Sequence, residues 1–340
     1  MDLIVPCAGL SSRFPDSLPK YVLSCFNGNM VLQNVLDDYL KLKHFDNIYV
    51  TILKEHEIKY NIIHRLNYIF GESIKIVILP DRTNGSADTV YQTLKRININ
   101  GPFLVRDCDS FFTHNLEIGN VVYCNHIGSN KNLQAKSYIK TNDQNIITNI
   151  IEKNIVSEYF CVGGYQFSSA REFIVKFEQL QSNSNEIYIS EIIGSMINSG
   201  EIFIKSLVSD YIDVGTIDEF NEYNDKPTYF SDIDGVICKI QSRYDINPFE
   251  TYEPIQKNVD VLLQKLKTGC QIIFTTARDP KFEKQTKNML TEMGFSGCIL
   301  IMNIHRAKRI VINDFNNYYP TCDSICIKSE SPELFKYINN

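Results

Sequence analysis

Short apolar runs of strand length alternate along this chain with stretches of helical periodicity, and the alternation starts afresh in its last third. The strand-like runs are 3–9 (LIVPCAG), 47–53 (NIYVTIL), 74–79 (IKIVIL), 102–106 (PFLVR) and 160–167 (FCVGGYQF). Between the first two, residues 31–42 put Val31, Leu32, Val35, Leu36, Tyr39 and Leu40 on one helical face, and residues 87–96 form a second such stretch. This order predicts an α/β domain built on a mainly parallel sheet. A polar stretch with a proline, 221–228, closes it. Strand-like runs then return at 228–231, 271–277 and 309–314, with helical stretches at 256–267 and 281–293 between them. The sequence therefore reads as two α/β domains, 1–226 and 227–340, in agreement with a length that exceeds one ordinary core.

Composition narrows the function classes. The formal net charge is −6, which argues against a general nucleic-acid binder but not against small phosphorylated ligands. The opening apolar run is too short for a signal peptide, no run is long enough for a membrane span, and no membrane insertion is expected. The ten cysteines lack the pairing of a zinc site. They read as reduced thiols of a cytoplasmic protein.

The first chemical signal follows the first strand. Ala8-Gly9-Leu10-Ser11-Ser12-Arg13 is a small-residue loop that lets backbone N–H groups approach phosphate oxygens, and Arg13 and Lys20 add cationic donors suited to a triphosphate. Further along, Asp107 and Asp109 follow the strand-like run 102–106, and carboxylates at strand ends suit Mg²⁺. The phosphate loop of P-loop ATPases, GxxxxGK[ST], is absent. Read alone, each of these residues is equally a turn cap, a helix cap or a solvated charge; their order along the chain carries the argument.

That order resembles the sugar-phosphate nucleotidyltransferase family. Cys7-Ala8-Gly9-Leu10-Ser11-Ser12-Arg13 with Pro19-Lys20 is similar to its opening signature, with Ser11 where the family usually has a second glycine. Asn84-Gly85-Ser86-Ala87-Asp88 resembles the segment that lies against the base. The resemblance implies that Ala8 to Ser12, Gly85, Ser86 and Ala87 bind the nucleotide. It makes Arg13 and Lys20 catalytic cations, and Asp109 and Asp213 the Mg²⁺ ligands, with Asp107 as the alternative to Asp109. Ile151-Glu152-Lys153 resembles the acceptor-binding pair, Glu152 for hydroxyls and Lys153 for phosphate, and Val162-Gly163-Gly164-Tyr165 resembles the strand that presents Gly164 to the sugar. Tyr211 to Thr216 resembles the D-x-G-T segment carrying Asp213.

The second domain opens on Ser231-Asp232-Ile233-Asp234-Gly235-Val236, a D-x-D pair directly after a strand. It resembles the haloacid-dehalogenase-like phosphatases. The resemblance implies Asp232 as phosphoryl-accepting nucleophile, Asp234 as acid–base, and Thr276 (with Thr275 beside it) as the hydroxyl on the phosphoryl group. Lys308, flanked by Arg306 and Arg309, is implied as the neutralising cation, and Asp232, Asp234 and Asp314 as the residues around a second Mg²⁺. Asn313 stands where many relatives have another acid, and the domain leaves room only for a minimal cap.

The sequence thus reads as a bifunctional enzyme. A Rossmann-like front domain transfers a nucleotidyl group from a nucleoside triphosphate to a sugar 1-phosphate, with Mg²⁺, and a haloacid-dehalogenase-like rear domain hydrolyses a phosphomonoester. The alternative is a cytidylyltransferase acting on a non-sugar alcohol or choline-like phosphate, with an inactive or structural rear domain. The oligomeric state is left open, a homo-oligomer included.

Overall fold

A computed structural model of the chain describes residues 1–9, 14, 18–42, 44–128, 133–181, 186–240, 244, 249–312 and 323–338. The chain forms two compact units, Met1–Asn224 and Asp225–Asn340.

In the front unit the elements run β1 (Asp2–Cys7), α1 (Val31–Leu42), β2 (Ile48–Leu53), α2 (Lys54–Tyr60), α3 (Ile62–Phe70), β3 (Lys75–Leu79), α4 (Ser86–Ile97), β4 (Phe103–Arg106), β5 (Ser110–Thr113) and β6 (Asn120–His126). They continue with β7 (Ser137–Thr141), β8 (Ile147–Glu152), β9 (Tyr159–Phe167), α5 (Ala170–Gln181), α6 (Ile189–Asn198), β10 (Phe203–Leu207), β11 (Ser209–Asp213) and α7 (Ile217–Asn224). The main sheet has the order β10-β6-β9-β4-β1-β2-β3. Its β4-β1-β2-β3 half is parallel throughout, and β10 is parallel to β6. β9 runs antiparallel to both β4 and β6. β7 joins the sheet antiparallel to β9, and β8 antiparallel to β7, so the sheet is mainly parallel with β9 and β8 reversed, which the periodicity of 160–167 does not reveal.

Both faces are covered, and β1 shows why. Its residues alternate between two cores: Leu3, Val5 and Cys7 pack with Leu32 and Leu36 of α1 and Ile62 and Leu66 of α3, while Ile4 packs with Ala87, Val90 and Leu94 of α4. The spacing of Ala87, Val90 and Leu94 makes a single buried stripe on α4. That stripe fixes the helix so that its first turn faces the carboxyl ends of the parallel strands, where ligands bind in such sheets.

The rear unit carries β12 (Thr228–Asp232), α8 (Gln256–Lys267), β13 (Gln271–Thr275), α9 (Glu283–Glu292) and β14 (Ile299–Ile301). The order β12-β13-β14 is parallel. Ile272 and Phe274 of β13 pack with Val259 and Leu262 of α8 and Met289 and Leu290 of α9. One expectation is corrected here. Residues 309–312 are not a strand: they are irregular, and Ile310, Val311 and Ile312 are exposed. Among the described residues β12 pairs only with β13, so this apolar run has no strand partner to order it. β14, three residues long, supplies the third strand instead.

Candidate active site

The site lies at the carboxyl end of β4, beside the antiparallel strand β9, around a cavity of ≈ 170 Å³. Its floor is the turn between β4 and β5, which carries Asp107 and Asp109. Buried Arg106, the last residue of β4, holds this turn. It donates to the Asp107 carbonyl oxygen at 2.9 Å, to Ser110 Oγ at 3.0 Å and to the Ser110 carbonyl at 2.7 Å, with its guanidinium 3.6 Å above the Phe112 ring. An arginine ending an apolar strand carries no sequence signal of this role.

Asp109 and Asp213 come together because β5 and β11 pair antiparallel, with Ser110 opposite Asp213. The Val214 N–H donates to the Asp109 carbonyl at 2.9 Å. A Cβ placed on Gly215 would stand 3.0 Å from Asp213 Oδ1 and 3.5 Å from Asp109 Oδ2, so both carboxylates face one point. Lys20 pairs with Asp109, and Lys136 with Asp213. Asp213 also accepts from Tyr211 OH at 3.0 Å and from the Gly215 N–H at 2.9 Å.

The charges set the protonation states. Burial pushes Asp107 up to about 7, and the neighbouring Asp109 charge adds to the rise against Arg106 and Lys20. Burial acts on Asp109 in the same sense, but Lys20 overrides it and holds that carboxyl down at about 2. Lys20 is raised: burial would lower it, and Asp109 more than compensates. At neutral pH Asp109 is therefore an anion locked to a cation, and Asp107 is the carboxyl that holds a proton most readily.

The residues expected to take the acceptor sit on a hairpin rung. Ser137 of β7 lies opposite Glu152 of β8. Glu152 Oε2 accepts from Ser137 Oγ and from Ser190 Oγ, the latter at 2.7 Å. Lys153 leaves the strand with φ 52° and donates to Tyr188 OH at 2.6 Å; Tyr188 OH in turn donates to Glu186 Oε2 at 3.0 Å. The phenol keeps Lys153 raised through that hydrogen bond.

Of the residues expected to take the nucleotide, Gly85 has φ +98° and precedes the first turn of α4, where Ser86 lines the cavity. The N-terminus of a twelve-residue helix facing a cavity favours anions. Ala87 is buried in the core beneath it, and Ala8 is buried while Gly9 is exposed. Leu10, Ser11, Ser12 and Arg13 lie outside the described residues. Gly164 is corrected. It is buried, opposite Arg106, where a Cβ would meet Phe112 at 2.9 Å and Tyr123 at 3.0 Å, so it allows close packing and does not line the cavity. Of this pair it is Gly163 that lines the cavity, as Gly215 also does. Gly163 has φ +85°, and a Cβ there would stand 2.6 Å from Asp107 Oδ2.

In the rear unit the expected residues also converge. Asp232 Oδ1 accepts from the Ile233 N–H at 3.0 Å, and its Oδ2 from Arg309 at 3.2 Å. Thr276, fully buried, directs Oγ1 at Asp234 Oδ2 at 3.4 Å. Thr275 Oγ1 turns instead to the Ser231 carbonyl at 3.4 Å. Buried Arg278 grips both oxygens of Asp234, Nε to Oδ2 at 3.0 Å and Nη2 to Oδ1 at 2.6 Å. Lys308 and Arg309 are both exposed, and of the two it is Arg309 that pairs with Asp232. Asn313 and Asp314 lie outside the described residues.

Sequence reasoning missed Lys136, Ser137, Tyr188, Ser190, Arg106 and Arg278. Arg278 directly follows the strand-like run 271–277, two residues after Thr276, and is within reach of sequence reading; a lone lysine at a strand entry, as Lys136 is, carries no pattern.

Solved structures supply the comparison. A nucleoside-diphosphate-sugar pyrophosphorylase from Vibrio cholerae RC9 is similar with TM-score 0.57 and 18% identity, over 65% of this chain and 98% of that one. The inositol-1-phosphate CTP transferase from T. maritima is similar with TM-score 0.52 and 12% identity, over 66% and 96%. A UDP-glucose pyrophosphorylase complexed with UDP-glucose is similar with TM-score 0.52 and 14% identity, again over 66% and 96%. The front unit has the nucleotidyltransferase fold. No protein-family model and no curated protein matches the chain. No described helix is long and apolar enough to cross a membrane.

Among the described residues no three His, Cys, Asp or Glu side chains are gathered closely enough to hold a metal by themselves. Asp109 and Asp213 nevertheless offer two hard oxygen donors toward one point, which suits Mg²⁺ with the rest of its shell filled by phosphate oxygens and water.

Proposed function

We propose that the front unit transfers a nucleotidyl group from a nucleoside triphosphate to a sugar 1-phosphate, giving the nucleotide-sugar and pyrophosphate. The observation that carries this reading is the meeting of Asp109 and Asp213 beside Lys20, in a cavity walled by the first turn of α4. Both reactants are anions. Lys20 and Lys153 would screen their repulsion and hold the acceptor phosphate in line with the α-phosphorus. The attacking oxygen belongs to a phosphate already ionised at neutral pH, so no side-chain base is required. Asp109 and Asp213 would hold Mg²⁺, which supplies charge neutralisation of the phosphates when bound. Glu152, with Ser137 and Ser190 around it, favours an acceptor rich in hydroxyls.

For the rear unit we propose a haloacid-dehalogenase-like phosphomonoesterase. Asp232 is the nucleophile, and Thr276, whose hydroxyl points at Asp234, is the hydroxyl for the phosphoryl group. Asp234 is the acid–base, oriented by Arg278, and Arg309 takes the neutralising place expected of Lys308. Nucleoside triphosphates and sugar phosphates are cytoplasmic metabolites, which supports a cytoplasmic setting.

The test is a screen of the four nucleoside triphosphates against sugar 1-phosphates and alcohol phosphates with Mg²⁺, read by mass spectrometry, with p-nitrophenyl phosphate as a separate probe of the rear unit. Formation of a nucleotide-sugar supports the proposal. Products from alcohol or choline-like phosphates alone would replace it with the cytidylyltransferase alternative. Loss of p-nitrophenyl phosphate hydrolysis in Asp232→Asn, with nucleotidyl transfer intact, would separate the two activities.

A further inference from the structure

We propose that Lys136 is a phosphate ligand of the nucleotidyl-transfer site, held on Asp213 until an anionic substrate draws it across. This rests on the reading of the front unit given above. Lys136 lines the cavity together with Asp109 and Asp213. Its Nζ donates to Tyr211 OH at 3.1 Å and pairs with Asp213. Its main chain is fixed: the Lys136 carbonyl accepts from the Lys153 N–H at 3.0 Å, and the next residue is the rung Ser137–Glu152. A fixed Cα with a long, rotatable stem lets the ammonium change partner without moving the hairpin.

Asp213 does not depend on Lys136 for its hydrogen bonds. It keeps the Gly215 N–H on Oδ1 and the Tyr211 hydroxyl on Oδ2 when the lysine leaves. The ammonium is two-thirds or more covered, with 22% of its side chain exposed, so in departing it needs another anion close by. Among the described residues that line the cavity Lys136 is the one cation, beside Asp107, Asp109, Glu152, Asp213 and Glu219, so a phosphoryl group entering past Ser86 at the α4 N-terminus has this ammonium as its partner. The lysine thereby stays neutralised in the free enzyme and adds a positive charge to the site only when substrate is present.

The experiment measures binding of inorganic pyrophosphate to the full chain by calorimetry, in metal-free buffer at fixed ionic strength. Lys136→Met is expected to weaken binding tenfold or more and Lys136→Arg to restore most of it. Asp213→Asn frees the lysine, and is expected to tighten binding more in the wild-type background than in the Lys136→Met background. Thermal melts check folding, with Lys136→Gln as the substitute if the methionine variant is unstable. Unchanged affinity in Lys136→Met, or equal tightening by Asp213→Asn in both backgrounds, overturns the proposal. Failure of the wild-type chain to bind pyrophosphate would instead count against the nucleotidyl-transfer reading itself.

Discussion

Gly163→Ala tests the packing under the aspartate turn. At φ +85° an L-residue incurs roughly 1–2 kcal/mol of backbone strain. The new methyl would also stand 2.6 Å from Asp107 Oδ2 and 2.8 Å from Asp107 Cβ, well inside contact distance. Asp107 has little room to retreat, because the Asp107 N–H donates to the Gly163 carbonyl at 2.7 Å and Arg106 holds the Asp107 carbonyl. Overpacking of this kind costs about 1–3 kcal/mol, so the total is roughly 2–5 kcal/mol. The assay is urea unfolding followed by tyrosine fluorescence, with Gly101→Ala as control. A Cβ on exposed Gly101 meets nothing within 4 Å, so that variant should stay within about 0.5 kcal/mol of the parent. The reasoning is refuted if Gly163→Ala unfolds at the same urea concentration as Gly101→Ala.

Two further outcomes follow from the electrostatics. Asp107 sits at about 7 when folded and near 4 when unfolded, so the folded state binds the extra proton between those values. Stability should therefore fall as pH rises from 4 to 7 and level off above, and Asp107→Asn should flatten that fall in a pH series of urea midpoints. In the rear unit, Arg278→Met leaves Asp234 without either of its guanidinium bonds and should destabilise by about 3 kcal/mol, measurable as a lower unfolding midpoint. An unchanged midpoint would mean that water replaces the arginine at no cost.

Much of the front unit was legible because its parallel strands are short, apolar and followed by helical stripes. β1, β2, β3, β4 and α4 all fall where the periodicity puts them. The strands that escaped reading are β5, β6, β7, β8, β10 and β11, most of them polar on one side. All but the β7–β8 hairpin are set by pairing partners distant in sequence. The same cause hid half of the site. Asp109, Asp213 and Glu152 lie in ordered motifs and could be named, whereas Lys136, Ser190 and Arg106 become functional only when β5 meets β11 and α6 meets the hairpin. The Gly163-Gly164 pair shows the limit sharply: both residues are glycine, and only the register against Arg106 and Tyr123 decides which one faces the cavity. In the rear unit the run 309–314 has strand composition, yet residues 309–312 find no partner strand and stay irregular.

The most direct measurement is pyrophosphate release and nucleotide-sugar formation by the wild-type chain, Asp109→Asn, Asp213→Asn and Asp232→Asn, side by side with saturating Mg²⁺. The account predicts that either front-unit substitution lowers turnover at least a hundredfold and that Asp232→Asn leaves it unchanged. Turnover that survives both front-unit substitutions, or disappears with Asp232→Asn, would contradict it.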